Sequence, residues 1–239
     1  MFYGLFYSYF LRIMLFKTKG MVLHTIPYKE TSIIAKIYTE EWGIQSYIEN
    51  GVRSSKGKNK IALFQPFTFL DMVVYHDSKK ELHRISEIKC SRPYKTIPYD
   101  IAKSSIALFL IEVIQKCIRE TGENRALYEF LETSFQTFDD QSDGSQNFHL
   151  LFLLQFCRYL GFEPETAEEI SQQVYKEVGW RVENLSLLNQ LIQASYQTRL
   201  EIPRKERNQL LDSILWYYRV HIDGFGEIKS LSIIREIFH

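Results

Sequence analysis

The chain has 239 residues with 45% hydrophobic, 15% aromatic and 24% charged side chains, and its formal net charge at neutral pH is zero. These values are typical of an ordinary soluble globular protein with one or two domains, and we favour two. The apolar stretch at residues 1–16 is shorter than a membrane-spanning helix and contains Arg12, which excludes a membrane span there.

Residues 1–13 form an apolar and aromatic extension ahead of the first strand pattern. The extension lacks the positively charged start and the small-residue cleavage site of a secretory signal. Two interpretations stay open: translation that begins at Met14, or an aromatic flap or interfacial anchor.

The zero net charge hides an asymmetry between the two halves of the chain. Residues 1–95 contain 15 Lys and Arg against 8 Asp and Glu, whereas residues 96–239 contain 14 against 21. A basic half joined to an acidic half indicates that the basic half binds an anionic partner. The alternative is a solvated surface whose charge is merely uneven.

Alternating apolar residues and turn signals predict five β-strands at about residues 19–26, 31–39, 44–50, 61–75 and 82–90, with a bulge in the fifth. The second strand is partly apolar on both faces, as expected where a second domain covers a barrel. Five short strands at regular spacing predict an OB-like Greek-key barrel. An SH3-like barrel or a small open sheet fits the periodicity almost as well.

Cations and aromatic side chains are interleaved along these strands and in the basic loop at residues 53–60. Together they suit a groove for single-stranded nucleic acid, in which cations contact phosphates and aromatic faces stack on bases. Packing is nevertheless the favoured use of each aromatic residue taken alone. The aromatic candidates are Tyr28, Tyr38, Trp42 and Tyr47. The candidate DNA-binding cations are Lys17, Lys19, Lys29, Lys36, Arg53, Lys56, Lys58, Lys60, Lys89 and Arg92.

Two prolines, Pro93 and Pro98, mark a domain boundary, because the hydrophobic period changes from 2 to 3.6 after them. The chain therefore divides into an uncertain extension at 1–13, a barrel at 14–95 and an α-helical bundle at 96–239, which is an α+β multidomain fold. Helices are expected from Asp100 to Gly122 and at residues 123–138, 149–160, 186–196, 203–221 and 230–238. Residues 166–183 are polar, and one helical turn followed by an irregular excursion is expected there.

The helical half also yields predictions about individual residues. The apolar face of its first helix is expected to include Ile101 and Leu108, with Asp100 as the N-cap. Asn147 is expected to cap the helix at residues 149–160, which is apolar nearly all round and is therefore expected at the centre of the bundle.

Familiar catalytic and metal-binding signatures are absent from the sequence. There is no phosphate-cradling glycine motif, no Gly-x-Ser-x-Gly and no His-Glu-x-x-His, so an enzyme is not expected. Cys90, Cys117 and Cys157 are far apart and form no Cys-x-x-Cys pair, which predicts free thiols in a reducing cytoplasm and no metal or other cofactor. A protein-interaction adaptor and an unrecognised hydrolase remain the alternatives to DNA binding.

Several short motifs occur in an order and spacing that are specific as a set. They are Gly20-Met21-Val22-Leu23, Tyr28-x-Glu30-Thr31-Ser32, Tyr38-Thr39-x-x-x-Gly43, Gly51-x-Arg53, Gln65-Pro66-Phe67, Phe156-x-x-x-Leu160-Gly161-x-x-Pro164 and Lys229-Ser230-Leu231. With these motifs the chain resembles the RecO family of bacterial recombination mediators from about Met14 to its C-terminus.

The resemblance implies an N-terminal OB-fold that binds single- and double-stranded DNA, followed by a helical domain. It also implies a non-enzymatic protein of the bacterial cytoplasm and nucleoid, without a membrane, that acts with RecR and binds the acidic C-terminal tail of single-strand DNA-binding protein (SSB). Such a protein helps to load RecA and anneals complementary strands. Carried over by position, Arg53, Lys56, Lys58 and Lys60 would contact DNA.

One departure from the family pattern concerns zinc. Many members carry a four-cysteine zinc site after the Leu-Gly-x-x-Pro motif, but residues 165–183 contain no cysteine, so a variant without zinc is expected. The acidic helical half would also need a local basic pocket for an acidic tail, and Arg125 and Arg158 are the candidates for it.

Overall fold

A computed structural model of the protein describes residues 14–54, 58–119, 122–142 and 145–237. The interpretations of residues 1–13 lie outside this part of the chain. The first half contains the strands β1 (Met14–Tyr28), β2 (Ser32–Thr39), β3 (Gly43–Glu49), β4 (Phe69–His76) and β5 (Leu82–Cys90).

The five strands close into a barrel in the order β1-β2-β3-β5-β4. Strand β1 closes it, because its first half pairs with β4 and its second half with β2. All pairs are antiparallel except β3 with β5. This topology confirms the predicted OB-fold and excludes both the SH3-like barrel and the open sheet.

Gly20 lies where β1 passes from one partner strand to the other. A Cβ atom at this position would lie 2.5 Å from Ile37 Cγ2 and 2.7 Å from Met72 Cε. The inside of the barrel therefore has no room for any side chain at residue 20, which explains the glycine of the first motif.

Two bulges adjust the barrel. The predicted bulge in β5 is confirmed at Ser86, since Val73 pairs with Glu87 and the next residue, Val74, pairs with Ile85. A second bulge, not predicted, lies at Leu23 in β1. The bulge frees the Leu23 carbonyl oxygen from the ladder, and Gln115 Nε2 donates a hydrogen bond to it over 2.7 Å.

The predicted fourth strand was wrong in its first half. Residues 61–68 do not extend β4, because helix α1 (Lys58–Ile61) and a 3₁₀ turn (Ala62–Phe64) come first. Phe64 is 2% exposed and packs in the barrel core with Val52 and Tyr47. The segment read as an alternating strand is thus a short helical element that closes one end of the barrel.

The second half contains α2 (Ile101–Cys117), α3 (Arg125–Asp140), α4 (Phe148–Leu160), α5 (Ala167–Val178), α6 (Leu185–Ile192), α7 (Arg204–His221) and α8 (Leu231–Ile237). Helix α4 is buried along most of its length, which confirms its predicted central position. No helix in the described part of the chain is long and apolar enough to cross a membrane.

Helix caps account for several boundaries, with two corrections. Asp100 accepts a hydrogen bond from Lys103 N at 3.0 Å and caps α2 as predicted. Asn147 stands at the N-cap position of α4 but forms no cap hydrogen bond, and its side-chain amide nitrogen donates to Leu200 O at 2.7 Å. The predicted irregular excursion at residues 166–183 was also wrong: Thr166 caps α5, and Gly179 ends it in a left-handed conformation.

The predicted apolar face of α2 was partly wrong. Ile101 is 80% exposed and Leu108 is 48% exposed, whereas Ile106 and Leu110 are fully buried. The helix is apolar on nearly every side, so its periodicity could not choose the buried face.

One continuous core joins the barrel to the helices. Met21, Leu23 and Phe69 point outward from the barrel and are buried among residues of the helical half. Phe67, the last residue of the Gln-Pro-Phe motif, has a positive φ of 59° and stacks on Phe135 of α3 with ring centroids 6.3 Å apart.

The segment that links the two halves is held by one buried carboxylate. Asp139, which has no exposed surface, accepts hydrogen bonds from the backbone amides of Lys95, Thr96 and Ile97 over 2.7 to 2.9 Å. Burial alone would raise the pKa of Asp139, but these amides and the Thr96 hydroxyl hold it below its usual value. The ammonium group of Lys103 donates to the Asp139 carbonyl oxygen and to Thr96 Oγ1.

We expect Asp139→Ala to lower the free energy of unfolding by about 3 kcal/mol or more, because it leaves buried amides without acceptors. Asp140→Ala is the matched control. Its carboxylate is exposed and pairs with exposed Lys95, so a much smaller loss than that of Asp139→Ala is expected. Urea denaturation measures both, and equal losses would show that Asp139 does not hold the linker.

A second prediction concerns acid stability. Burial holds the pKa of His149 at about 3, far below the usual 6.5. Between these values the unfolded chain binds a proton that the folded chain does not, so stability falls as the pH drops through this window. The His149 contribution to that loss is about 2 kcal/mol at pH 5.

His149→Leu should therefore reduce the stability difference between pH 7.5 and pH 5 by about 2 kcal/mol, whatever its effect on absolute stability. Urea midpoints at the two pH values give the difference. An unchanged difference would mean that other groups cause the acid sensitivity.

Candidate nucleic-acid interface

The outward side of β1, β2 and β3 forms an exposed face of the barrel, called the outer face below. Neighbouring strands place His24 beside Lys36, and Ile34 between Ile26 and Ile48. Ile26 is 49% exposed, and Ile34 and Ile48 are half-buried. The outer face is therefore an apolar surface with one exposed ammonium group, that of Lys36.

His24 adds little charge to the outer face. Burial and the nearby Lys36 ammonium both lower the pKa of the His24 imidazole. The side chain is therefore neutral at neutral pH, and Lys36 supplies the positive charge at this place.

Two further cations, Lys29 and Arg53, meet at one end of the outer face. The Arg53 amide donates to Thr31 O at 2.9 Å, and Arg53 Nη1 donates to Lys29 O at 3.4 Å, so the β1–β2 turn and the corner after β3 are joined. Lys29 Nζ lies 5.4 Å from the ring centroid of Tyr28. Both cations are exposed, and no carboxylate in the described part of the chain forms an ion pair with either.

Three other predicted cations, Lys17, Lys19 and Lys89, lie elsewhere, in a cavity of about 570 Å³ along β1, β4 and β5. Lys19 Nζ lies 3.8 Å from a Glu132 carboxylate oxygen, and Lys89 Nζ lies 3.4 Å from an Asp71 carboxylate oxygen. The cavity is also lined by Glu40, Glu41, Asp71 and Glu87. It is thus a surface of mixed charge rather than a cationic groove.

The basic loop is only partly described. Lys60 Nζ lies 2.7 Å from Glu49 Oε1, so its charge is neutralised locally. Lys56 lies outside the described residues, and Lys58 begins helix α1. Arg92 is exposed beyond β5. Hydrogen bonds from Gln136 and Lys95 lower the pKa of Asp140, and the charge of Arg92 lowers it further.

The two candidate residues for a partner pocket are each paired with carboxylates. Arg125 Nε lies 3.2 Å from Glu40 of the barrel and 3.1 Å from Glu129 of its own helix. Arg158 Nε lies 3.8 Å from Glu163. Both side chains stay largely exposed, and their role in binding a partner stays a prediction.

Burial separates the four candidate aromatic residues. Tyr38 and Tyr47 are at most 1% exposed and serve in packing, as expected for each aromatic residue taken alone. Trp42 stacks on His76 with ring centroids 4.1 Å apart. Tyr28 is half-buried at the end of the outer face that carries Lys29 and Arg53.

Sequence reasoning missed the isoleucines of the outer face, although the signal was present. The apolar residues on both sides of β2 predicted that a second domain covers it. That prediction is right at Tyr38, which stacks with Tyr128 of α3 at 6.4 Å, whereas Ile34 on the same side of β2 is half-buried and its neighbour Ile26 is exposed.

The outer face combines exposed cations with apolar surface, which suits a polyanion that also carries flat apolar groups. No group of three or more His, Cys, Asp or Glu side chains within the described ranges is placed to hold a metal ion. The segment at 165–183, which contains neither Cys nor His, forms α5 and the turn after it and does not fit zinc.

Comparisons with known proteins agree over most of the chain. Residues 14–94 match the family model described as Recombination protein O N terminal, and residues 98–174 match Recombination protein O C terminal. The chain is 37% identical to the DNA repair protein RecO of Phocaeicola vulgatus, over 94% of this chain and 100% of that protein. It is 35% identical to the DNA repair protein RecO of Flavobacterium psychrophilum, over 93% of this chain and 98% of that protein.

Proposed function

The chain belongs to the RecO family of DNA repair proteins, and from this premise we propose that it is a non-enzymatic recombination mediator that binds single- and double-stranded DNA through its barrel. The observation that carries DNA binding is the outer face, where an apolar surface lies between Lys36 and the pair Lys29 and Arg53. In OB-folds, strands 2 and 3 and the loop after strand 1 are the usual place for an oligonucleotide.

The charges of the outer face support binding to phosphate. Lys29, Lys36 and Arg53 are exposed, and no ion pair within the described residues neutralises them. Each contact that one of them makes to a phosphate would release a counterion. Tyr28 and the isoleucines offer unpaired bases a surface on which to lie.

The same proposal includes protein partners. In it, the helical half acts with RecR and binds the acidic C-terminal tail of SSB, and the protein thereby helps RecA to load onto coated single strands and anneals complementary strands. Its support is the family membership.

We expect the double variant Lys29→Gln and Arg53→Gln to bind single-stranded DNA more weakly and with a flatter salt dependence. The slope of log K against log salt should fall in magnitude by about 1.4, since each lost phosphate contact contributes about 0.7. Fluorescence anisotropy of a labelled oligothymidine, titrated at several salt concentrations, measures both quantities.

The control is the double variant Lys19→Gln and Lys89→Gln, which removes the same charge from residues that already pair with Glu132 and Asp71. Its slope should stay near that of the wild type. Equal slopes for the two variants would move the site away from Lys29 and Arg53. A wild type without DNA affinity at low salt would reject the proposal and favour an adaptor.

A further inference from the structure

A groove of about 710 Å³ runs between the barrel and the helical half, and we call it the interdomain groove. Four cations line it, from elements far apart in the sequence: Lys36 of β2, Lys116 of α2, Arg119 beyond α2 and Lys229 ahead of α8. Sequence reasoning assigned a role to Lys36 alone, because the other three lie in the acidic half.

The carboxylate in this groove forms no ion pair with the four cations, although its charge interacts with that of Lys116. Glu112, the acidic residue that lines it within the described ranges, accepts hydrogen bonds from Lys229 N at 2.7 Å and from Ser230 N at 2.9 Å. The Ser230 hydroxyl donates to it as well, at 2.7 Å. Burial would raise the pKa of Glu112, but these bonds and the Lys116 charge lower it. The carboxylate is therefore ionised, and its bonding capacity is used by the start of α8.

The loop between α7 and α8 positions one of the cations. Arg119 Nη2 donates a hydrogen bond to Asp223 O. Gly224 and Gly226 both have a φ of 64°, a backbone conformation that glycine adopts without strain, and they let the loop turn close to Arg119 and Lys116. Arg119 is therefore oriented before any ligand arrives.

The floor of the interdomain groove is apolar. Leu23 and Ile44 from the barrel and Ile118 from the helical half contribute to its lining. A ligand that offered charge alone would leave this floor unused.

The groove is also continuous with the outer face. Lys36 belongs to both, and His24, which stands beside Lys36 on the neighbouring strand, lines the groove too. A strand that lies along the outer face from Lys29 and Arg53 therefore reaches the groove at Lys36.

We propose that the interdomain groove binds the continuation of the single strand that occupies the outer face, so that the helical half supplies part of the DNA site. This inference rests on the proposed function. The cations would contact phosphates, and the apolar floor would contact unpaired bases, which a duplex keeps stacked inside. The continuity with the outer face favours a nucleic acid over an acidic peptide.

The test is the full-length triple variant Lys116→Gln, Arg119→Gln and Lys229→Gln, in which glutamine keeps part of each aliphatic stem in place. The control is Lys176→Gln, Arg181→Gln and Lys205→Gln, which removes the same charge from exposed residues of the helical half that do not line the groove. Anisotropy of a labelled oligothymidine of about 20 nucleotides is measured from about 50 to 200 mM salt, and poly-glutamate is tested as the acidic-peptide probe.

The groove variant should lose about two units of salt slope and bind at least about tenfold more weakly at low salt, while the control stays near the wild type. Its loss should be larger for the single strand than for a duplex of the same length.

Equal slopes for the groove variant, the control and the wild type would overturn the proposal while leaving DNA binding by the outer face intact. An equal loss of poly-glutamate and DNA binding would also overturn it, because the groove would then be a general anion surface. A wild type that does not bind the oligonucleotide would instead reject the proposed function itself.

Discussion

The placement of the barrel against the helices depends on one buried carboxylate, that of Asp139 at the end of α3. Three successive amides of the linker, from Lys95 to Ile97, donate to it, so the direction in which the chain leaves the barrel is fixed. The buried ammonium of Lys103 completes the junction by donating to Asp139 O, Gln141 O and the Thr96 hydroxyl. Burial lowers the pKa of Lys103, and the surrounding carboxylates oppose that effect. This junction, together with the core that the two halves share, gives the groove between them a defined shape.

Ion pairs across the same interface neutralise part of the charge asymmetry of the chain. Lys19 of the basic half pairs with Glu132 of the acidic half, and Arg125 of the acidic half pairs with Glu40 of the basic half. Such exposed pairs contribute little stability, but they remove cations from the set available to a polyanion. The net charge of a half therefore says less about binding than the positions of its cations that have no carboxylate partner.

The sequence predicted the barrel well and the cation sites less well, for physical reasons. Alternation and turn residues are local, so the five strands followed from them, whereas the choice of the OB topology over an SH3-like barrel or an open sheet needed the pairing of the strands. The 3₁₀ turn at Ala62–Phe64 was missed because the alternation of Leu70, Met72 and Val74 was extended back to Ile61, and burial of Phe64 outweighs that local pattern. Helix α5 was missed because its polar composition hides a buried stripe, whose members include Ile170 and Val174.

Ion pairing cannot be predicted from a local pattern, because the partners lie far apart in the chain. Lys19 and Lys89 looked equivalent to Lys29 in sequence, yet Glu132 and Asp71 neutralise the first two and no described carboxylate neutralises the third. The same distance in sequence hid Lys116, Arg119 and Lys229, which reach Lys36 only after the halves have packed together.

The bulge at Leu23 connects the fold to the site. Without the extra residue, strict alternation would place His24 inside the barrel. With it, Leu23 packs against the helical half, its carbonyl oxygen accepts from Gln115, and His24 lies beside Lys36 on the outer face. One inserted residue therefore provides a hydrogen bond between the halves and starts the surface that leads into the interdomain groove. The first motif, Gly20-Met21-Val22-Leu23, therefore meets two constraints. Residue 20 has no side chain where β1 changes partner strands, and residue 23 forms a bulge where the barrel meets the helices.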